Sequence, residues 1–199
     1  CFPDDLAQRA MDSLRTLMPD ARTYADGTRG GLIAAMDRAA VDRAVVLPVA
    51  TKPSQVAGIN RTAASGAGER IVPFGALHPA CASIAEQVKF LRDHGVHGVK
   101  LHPEYQDFYV DDRALDGMYG ALQDAGLIVV FHAGWDPGPF TRDHATPSAL
   151  RRVHERFPRL RMVAAHMGGH RMWDEVREEL VGTDVYLDTA AVADYLSVK

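Results

Sequence analysis

Short apolar runs alternate with amphipathic stretches along most of the chain. Six runs rich in Val, Ile and Ala cover residues 43–50, 71–79, 97–103, 127–134, 161–169 and 184–190. Each run has the length of a strand that is buried on both faces, where apolar residues need not alternate with polar ones. The pattern therefore predicts six buried strands.

The segments between these runs have helical spacing. In residues 82–95, Ile84, Val88 and Leu91 recur at steps of four and three, and Gly95 marks the end of the predicted helix. Similar spacing predicts helices in 111–126, 146–158 and 170–182, after a helix that opens the chain.

Repeated strand and helix pairs with short connections predict parallel strands joined by right-handed crossovers. An open doubly wound sheet and a (β/α)8 TIM barrel both satisfy this order. Reactive side chains end one run after another, which favours the barrel because it gathers all strand ends around one mouth. No glycine-rich GxGxxG loop follows the first run, as a dinucleotide-binding open sheet would require. The residues at the run ends are His78, Lys100, His102, His132, His166 and Asp188.

The length of the chain limits this prediction. A full barrel typically needs about 250 residues and eight strands, whereas the 199 residues contain six predicted strands. We therefore predict one α/β domain over residues 1–199, an incomplete barrel.

Composition narrows the classes of function. With 47% hydrophobic and 24% charged residues, the chain has the make-up of a soluble globular protein. The formal charge of −4 and the lack of a basic run argue against a nucleic-acid partner. The apolar runs are too short to cross a membrane and no signal-peptide pattern opens the chain, so we expect a cytoplasmic protein. The two cysteines, Cys1 and Cys81, have no CxxC spacing and are expected to be free thiols.

His132 and His166 are the strongest candidates for metal ligands. Each ends an apolar run, each is followed by small residues, and on consecutive barrel strands their rings would face one point. Neutral imidazole is the commonest metal ligand, and zinc favours two or three nitrogens with a carboxylate and an open position for water. A single strand-end histidine is more often structural, but histidines on successive strands favour a metal site. Glycine after each of these histidines would let a substrate or a metal approach the backbone.

Each of the other residues at the predicted mouth has two possible roles. Lys100 lies in an apolar strand, where a lysine is seldom unpaired, and could hold a substrate carboxylate. His78 and His102 each precede a proline, so they either line the pocket, where His102 would contact substrate, or only end their strands. Arg171 either binds an anion or is solvated, and Trp135 either lines the pocket or covers the core. His94, His97, His144 and His154 are predicted to be surface residues.

Several motifs together resemble a known family. "GVKLHPEYQDF", "FHAG", "AHMGG" with "WDEV", and "VYLDTA", in this order, are similar to the amidohydrolase-related (amidohydrolase 2) branch of the amidohydrolase superfamily. This branch includes aminocarboxymuconate-semialdehyde decarboxylase and a pyrone-dicarboxylate lactonase. The resemblance extends from Cys1 to about Ala191 and implies a barrel with a metal, usually zinc, at its mouth.

The resemblance also implies roles for individual residues. His132 matches the metal ligand after the fifth strand, and His166 matches the sixth-strand histidine, which is a ligand in some members and an acid or base in decarboxylase-like ones. The family's HxH on the first strand and its aspartate after the eighth have no counterpart in the sequence. "CFPDD" is similar to the segment that follows the HxH. By this comparison the chain is truncated at both ends and contains strands two to seven, so a metal would be held fully only in the complete protein.

These observations lead to a first hypothesis and to alternatives. The first is a metal-dependent hydrolase that attacks a small carboxylated substrate with metal-activated water, with zinc as cofactor. His166 would move a proton, and Lys100 or Arg171 would hold the carboxylate. A decarboxylase of the same branch, a metal-free lactonase-like hydrolase and a noncatalytic truncated barrel are the alternatives. The family also suggests a homodimer.

Overall fold

Helices and strands alternate in the computed structural model, which describes residues 1–17, 23–192 and 195. The strands are β1 (Ala44–Val46), β2 (Ile71–Pro73), β3 (Gly75–Ala76), β4 (Gly98–Leu101), β5 (Ile128–Phe131), β6 (Arg161–Ala164) and β7 (Tyr186–Leu187). The helices are α1 (Asp4–Leu17), α2 (Arg29–Arg38), α3 (Val56–Ser65), α4 (Ile84–Asp93), α5 (Pro103–Gln106), α6 (Asp116–Asp124), α7 (Pro147–Arg156) and α8 (Trp173–Glu179). Two 3₁₀ turns, Pro53–Gln55 and Arg113–Leu115, precede α3 and α6.

The strands are all parallel and lie beside their neighbours in chain order. One sheet has the order β3-β4-β5-β6-β7, and β1 pairs with β2 in a second. A doubly wound sheet would reverse direction from a central strand, whereas a (β/α)8 barrel adds each strand next to the last. The described chain thus forms an incomplete parallel barrel, as the sequence predicts.

The predicted strand over residues 71–79 is divided in two. Pro73 has no backbone N–H to donate to a neighbouring strand, and the ladder stops there, although the Phe74 N–H still bonds the Val46 carbonyl at 2.9 Å. The buried Asn60 of α3 bridges the next step, because its Oδ1 accepts from the Ala76 N–H at 2.9 Å. The other five predicted strands are present, at two to four residues each.

The predicted helices are present with narrower bounds. The segments 82–95, 111–126, 146–158 and 170–182 contain α4, α6, α7 and α8. Thr146 caps α7, since its hydroxyl accepts from the Ala149 N–H at 3.2 Å. Cys1 and Cys81 are free thiols. In the described part of the chain, no helix has the length and apolarity needed to cross a bilayer.

Alternation along the central strands separates the core from the barrel interior. Val99 and Leu101 of β4 and Val129 and Phe131 of β5 are fully buried in the apolar core cluster under the helices. Lys100 lies between the two β4 residues of this cluster and therefore points to the other face, inside the barrel. This alternation explains why an apolar strand contains a buried amine.

Candidate active site

The carboxyl ends of β4, β5 and β6 meet at one level. Leu101 pairs with Phe131, and Phe131 pairs with Ala164. His102 and His132 each follow directly after their strand, and His166 lies two residues beyond Ala164. The shared register therefore brings the three imidazoles to one place.

His132 and His166 are in direct contact. His166 Nε2 lies 3.1 Å from His132 Nδ1, and the ring planes are inclined by 66°. This separation suits a hydrogen bond, and it is close to the roughly 3.3 Å between two nitrogen ligands at 2.0–2.1 Å from one tetrahedral zinc. The two rings thus converge as the sequence led us to expect.

The backbone at His166 is held in a strained conformation. His166 and Met167 have φ of 61° and 56°, in the left-handed region that side chains other than glycine rarely adopt. Asp188 Oδ1 accepts from the His166 N–H at 2.8 Å, and the Trp173 indole donates to the His166 carbonyl at 3.1 Å. Strain of this kind persists where surrounding contacts enforce it, typically at functional sites.

A further contact fixes the tautomer of the His166 ring. Its Nδ1 lies 2.8 Å from the Ala190 carbonyl, which can only accept, so Nδ1 bears the hydrogen. In the neutral ring Nε2 then has a free lone pair. The His132 Nδ1 N–H donates to that lone pair. In the neutral His132 ring, the lone pair of Nε2 is then the one that remains free.

Two carboxylates that the sequence analysis did not single out lie on the other side of His132. Asp136 Oδ2 is 3.4 Å from His132 Nε2, and Glu104 Oε2 is 3.9 Å from the same nitrogen. His102 faces both, with Nε2 3.5 Å from Asp136 and Nδ1 3.7 Å from Glu104. His132 therefore has an imidazole on one side and two acidic groups on the other.

The donor atoms of this cluster suit a divalent metal. Within the described part of the chain, His102, His132 and Asp136 offer ligand atoms that lie within 4.8 Å of one another. His132 Nε2, His102 Nδ1 and Glu104 Oε2 are buried and have no hydrogen-bond partner among the described residues. Buried polar atoms are normally satisfied, so unpartnered nitrogen and oxygen atoms facing one another fit a site that binds a cation.

Burial controls the protonation of the cluster. Desolvation, with smaller contributions from Lys100 and His166, lowers the pKa of His102 to about 3, and desolvation lowers the pKa of His132 as well. Desolvation raises the pKa of Glu104 to about 7 and also raises that of Asp136. The imidazoles of His102 and His132 are therefore neutral near pH 7, which is the form that binds metals.

Lys100 is the buried cation of the site. Desolvation lowers the pKa of its amine to about 8, and the negative charges of Asp188, Glu104 and Asp136 oppose that shift. Among the described residues, no carboxylate oxygen lies within 4.0 Å of the Lys100 ammonium nitrogen. Its ammonium group thus provides positive charge inside the barrel without a carboxylate in contact.

The other predicted site residues lie at different distances from this cluster. Arg171 is exposed, has a φ of 60°, and places its guanidinium 3.9 Å above the Trp135 ring. Trp135 in turn stacks on the buried His170. Arg171 and Trp135 therefore form one pair at the mouth. His170 lies between this pair and His166, and the ring centres of His170 and His166 are 6.0 Å apart.

Two further histidines have defined surroundings. His78 is buried, and its Nδ1 accepts from the Ala80 N–H at 3.1 Å. His144 is not the surface residue that we predicted, because only 12% of its side chain is exposed and its N–H donates to Glu104 Oε1 at 3.0 Å. His94 and His97 are exposed as expected.

The glycine after His132 has a different role from the one predicted. Gly134 has a φ of 80°, and a Cβ there would lie 2.2 Å from the His170 backbone nitrogen. It also forms an isolated bridge with His170. The group that approaches this glycine is the neighbouring backbone segment, in place of the substrate or metal we expected.

Solved structures share this fold. The chain matches an uncharacterised TIM-barrel protein from Bordetella bronchiseptica with a TM-score of 0.65 and 19% identity, over 92% of this chain and 69% of that one. It matches 5-carboxyvanillate decarboxylase from Novosphingobium aromaticivorans, solved with manganese and 4-hydroxy-3-methoxy-5-nitrobenzoic acid, with a TM-score of 0.60 and 19% identity, over 93% and 67%. For 2,6-dihydroxybenzoate decarboxylase from Rhizobium the TM-score is 0.57 and the identity 14%, over 81% and 69%.

Sequence comparison identifies the family. No curated protein sequence matches the chain. The model of the amidohydrolase family matches residues 19–198, which is most of the chain. The incomplete parallel barrel and the histidine cluster at its strand ends agree with that match, and this chain belongs to the amidohydrolase family.

Proposed function

We propose that this protein is a metal-dependent enzyme that acts on a small carboxylated substrate, and that its reaction is decarboxylation. The observation that carries the proposal is the position of His132, a buried imidazole with His166 against one nitrogen and two carboxylates near the other. Such a group of neutral nitrogen and carboxylate donors is typical of divalent metal sites. A bound divalent metal supplies a Lewis acid for the oxygen atoms of the substrate.

His166 is the residue we assign to proton transfer. Its ring is partly exposed, whereas His132 is buried. The Ala190 carbonyl holds the hydrogen on Nδ1, so proton exchange occurs at Nε2. Decarboxylation of an aromatic acid exchanges the carboxyl group for hydrogen, so Nε2 would first take up a proton from solvent and then deliver it to the ring carbon from which CO₂ leaves.

Positive charge at two depths favours a carboxylated substrate. The Lys100 ammonium lies inside the barrel, and the Arg171 guanidinium lies at the mouth on the face of Trp135. Arg171 can form two parallel hydrogen bonds with a carboxylate, and the Trp135 ring fixes the orientation of its plane. We assign His102 to orienting the two carboxylates of the site, because both of its nitrogens face them.

Two observations favour decarboxylation over hydrolysis. Two of the solved structures that the chain resembles are a 5-carboxyvanillate decarboxylase and a 2,6-dihydroxybenzoate decarboxylase. The groups around His132 are also largely buried, and low polarity favours the loss of carbon dioxide because it destabilises the charged carboxylate. Hydrolysis of a carboxylated lactone or amide is the second candidate, favoured by the family match.

One experiment separates these reactions. Metal-stripped protein is reloaded with Mn²⁺ or Zn²⁺ and incubated with hydroxybenzoic acids that carry ¹³C in the carboxyl group, and released ¹³CO₂ is measured by mass spectrometry. We expect metal-dependent release that is lost in His132→Ala. Incorporation of ¹⁸O from labelled water into carboxylated lactones or amides, without CO₂, would favour hydrolysis instead. A rate that survives removal of the metal would contradict the proposal.

A further inference from the structure

Gln106 is a buried amide that forms three hydrogen bonds at the mouth of the barrel. Only 5% of the residue is exposed. Its Oε1 accepts from the His102 N–H at 2.8 Å, and its Nε2 donates to the carbonyls of Leu77 and Ala50 at 2.7 Å and 2.8 Å. These three partners follow β4, β3 and β1, so one side chain holds the ends of three strands.

The β4–β5 pair shows how neighbouring strands continue at this level. Leu101 pairs with Phe131, and the N–H of the following residue, His132, donates to the Leu101 carbonyl at 3.0 Å. The same step occurs between β5 and β6, where the Ala165 N–H donates to the Phe131 carbonyl at 3.0 Å. Direct backbone hydrogen bonds thus hold these strand ends side by side.

Between β3 and β4 the Gln106 amide takes the place of the corresponding bond. The pairing of these strands ends with Ala76 beside Lys100. One step further, the register of parallel strands would direct the His102 N–H at the Leu77 carbonyl. Instead, the Gln106 amide accepts from the first of these groups and donates to the second. The side chain is therefore inserted between the two strand ends and keeps them apart.

The partners explain why this residue is a glutamine. A primary amide has two N–H donors and a carbonyl acceptor, so it can replace a peptide group in a ladder. Ala50 and Leu77 are fully buried, and buried carbonyls without a donor are unfavourable. A carboxylate here would set its oxygens against these carbonyls, and an apolar side chain would leave them without a donor.

His102 is the site residue that this insertion places. Its ring stacks on that of His132, with centres 4.1 Å apart and planes inclined by 16°. Its backbone is bonded to Gln106 twice, because the Gln106 backbone N–H also donates to the His102 carbonyl at 3.0 Å. A shift of the Gln106 side chain would therefore move the His102 ring relative to the His132 ring.

We propose that Gln106 is a positioning residue of the active site, which holds the His102 imidazole against His132 by keeping the ends of β3 and β4 apart. This role rests on the proposed function, because the two imidazoles belong to the proposed active site. The Gln106 side chain bonds only backbone groups, so its loss should change the geometry of the reacting groups more than the binding of substrate.

Imidazole NMR tests the role without a substrate. Long-range ¹H–¹⁵N spectra of the ¹⁵N-labelled, metal-free protein record the ring protons of His102 and His132, which should show upfield ring-current shifts because the rings are stacked. Gln106→Met has a similar volume but removes all three side-chain hydrogen bonds. We expect it to lose most of these shifts, and kcat for CO₂ release to fall roughly 100-fold with KM nearly unchanged.

The matched control is Gln123→Met. Gln123 also accepts a backbone N–H, from Arg159 at 3.1 Å, but it lies near the end of α6, away from the mouth. Its variant is expected to keep the imidazole shifts and the kcat of the unmodified protein. Unchanged imidazole shifts in Gln106→Met would overturn the positioning role, whether or not the protein releases CO₂. Changed shifts, with no CO₂ release by the unmodified protein, would support the positioning role and refute the proposed function.

Hydrogen exchange of the unmodified protein gives a second measurement that does not depend on the folding of a variant. The Gln106 side-chain NH₂ and the His102 amide are expected to exchange as slowly as the N–H groups of β5, since they are buried and hydrogen-bonded. Rapid exchange of both groups, with β5 protected, would contradict the insertion of the amide between the strands.

Discussion

The chemistry of this site depends on which nitrogen of His132 bears its hydrogen. One chain of contacts, from the Ala190 carbonyl through His166 to His132 Nδ1, sets that tautomer. Its effect is to direct the His132 Nε2 lone pair toward Glu104 and Asp136. We propose that His166 thereby sets which nitrogen of His132 is free to bind a metal and also takes part in proton transfer.

Replacement of His166 by Asn separates these two roles. Asn is tolerated in the left-handed region that this position requires, so the backbone should be retained while the ring is lost. We expect kcat for the substrate identified by CO₂ release to fall about 10²–10⁴-fold, with nearly unchanged metal content by elemental analysis. His97→Asn, at an exposed position, is the control and should leave both values unchanged. Loss of the metal from His166→Asn would instead make this residue a ligand.

The buried His78 should make stability depend on pH. Desolvation lowers its pKa, so below about pH 6.5 the unfolded chain binds a proton that the folded chain excludes. The free energy of unfolding should therefore fall as pH decreases from 7.5 to 5. Each unit by which the pKa is lowered in the folded state contributes about 1.4 kcal/mol to this fall.

The variant His78→Asn isolates that contribution. The Asn side-chain oxygen can still accept from the Ala80 N–H, but it does not titrate. Urea unfolding at pH 7.5 and pH 5 should show a smaller pH dependence for His78→Asn than for the unmodified protein. Equal pH dependence in the two proteins would show that His78 takes up its proton as easily when folded as when unfolded.

At the scale of elements, the loop after β5 is shaped by one glycine. The left-handed conformation of Gly134 turns the chain after His132, and its bare Cα allows the His170 backbone to pair with it. This turn places Asp136 beneath His132, four residues later in the sequence. The β5 and β6 loops are thereby joined directly beside the cluster.

Substitution of Gly134 by Ala should disrupt this junction. A Cβ would meet the His170 nitrogen at 2.2 Å and cannot be accommodated without a shift of backbone. We expect Gly134→Ala to lower the free energy of unfolding by at least about 2 kcal/mol, because strain and backbone displacement add. Gly120→Ala in the middle of α6 is the control of opposite sign, since that site is open and alanine favours helix by about 0.5–1 kcal/mol. Similar unfolding midpoints in urea for Gly134→Ala and the unmodified protein would contradict the steric argument.

Strands and helices were predictable because apolar periodicity reports burial directly. The runs that contain β4, β5 and β6 end at the histidines that form the site, so their shared register could be anticipated. The division between β2 and β3 was not predicted, although Pro73 was a signal for it. The contact between the Asn60 side-chain amide and the Ala76 N–H follows no periodic pattern, so the sequence did not reveal it.

At the scale of the whole molecule, parallel order gathers residues that are far apart in sequence. His132 and His166 could be paired from the sequence because both follow strands. Glu104 and Asp136 could not, because a single helical turn at Pro103 and a left-handed glycine bring them back over the strand ends. Each lies two to four residues after a strand-end histidine, and that spacing is the signal that could have identified them.

The barrel architecture also explains why the site is buried. Helices cover the outer face of β4, β5 and β6, and the inner face holds Lys100, His132 and the two carboxylates in an environment of low polarity. Ionisable groups there either have an opposite charge nearby or have pKa values shifted toward their neutral forms. A single divalent cation would balance the negative charge of both carboxylates.

A crystal of this protein soaked in Mn²⁺ gives the most direct test of the central claim. Anomalous scattering at the manganese edge locates the ion independently of the protein phases. We predict a peak about 2.0–2.3 Å from His132 Nε2 and from one carboxylate oxygen of Asp136. A peak between His132 Nδ1 and His166 Nε2, or a fully occupied site elsewhere on the chain, would contradict this prediction.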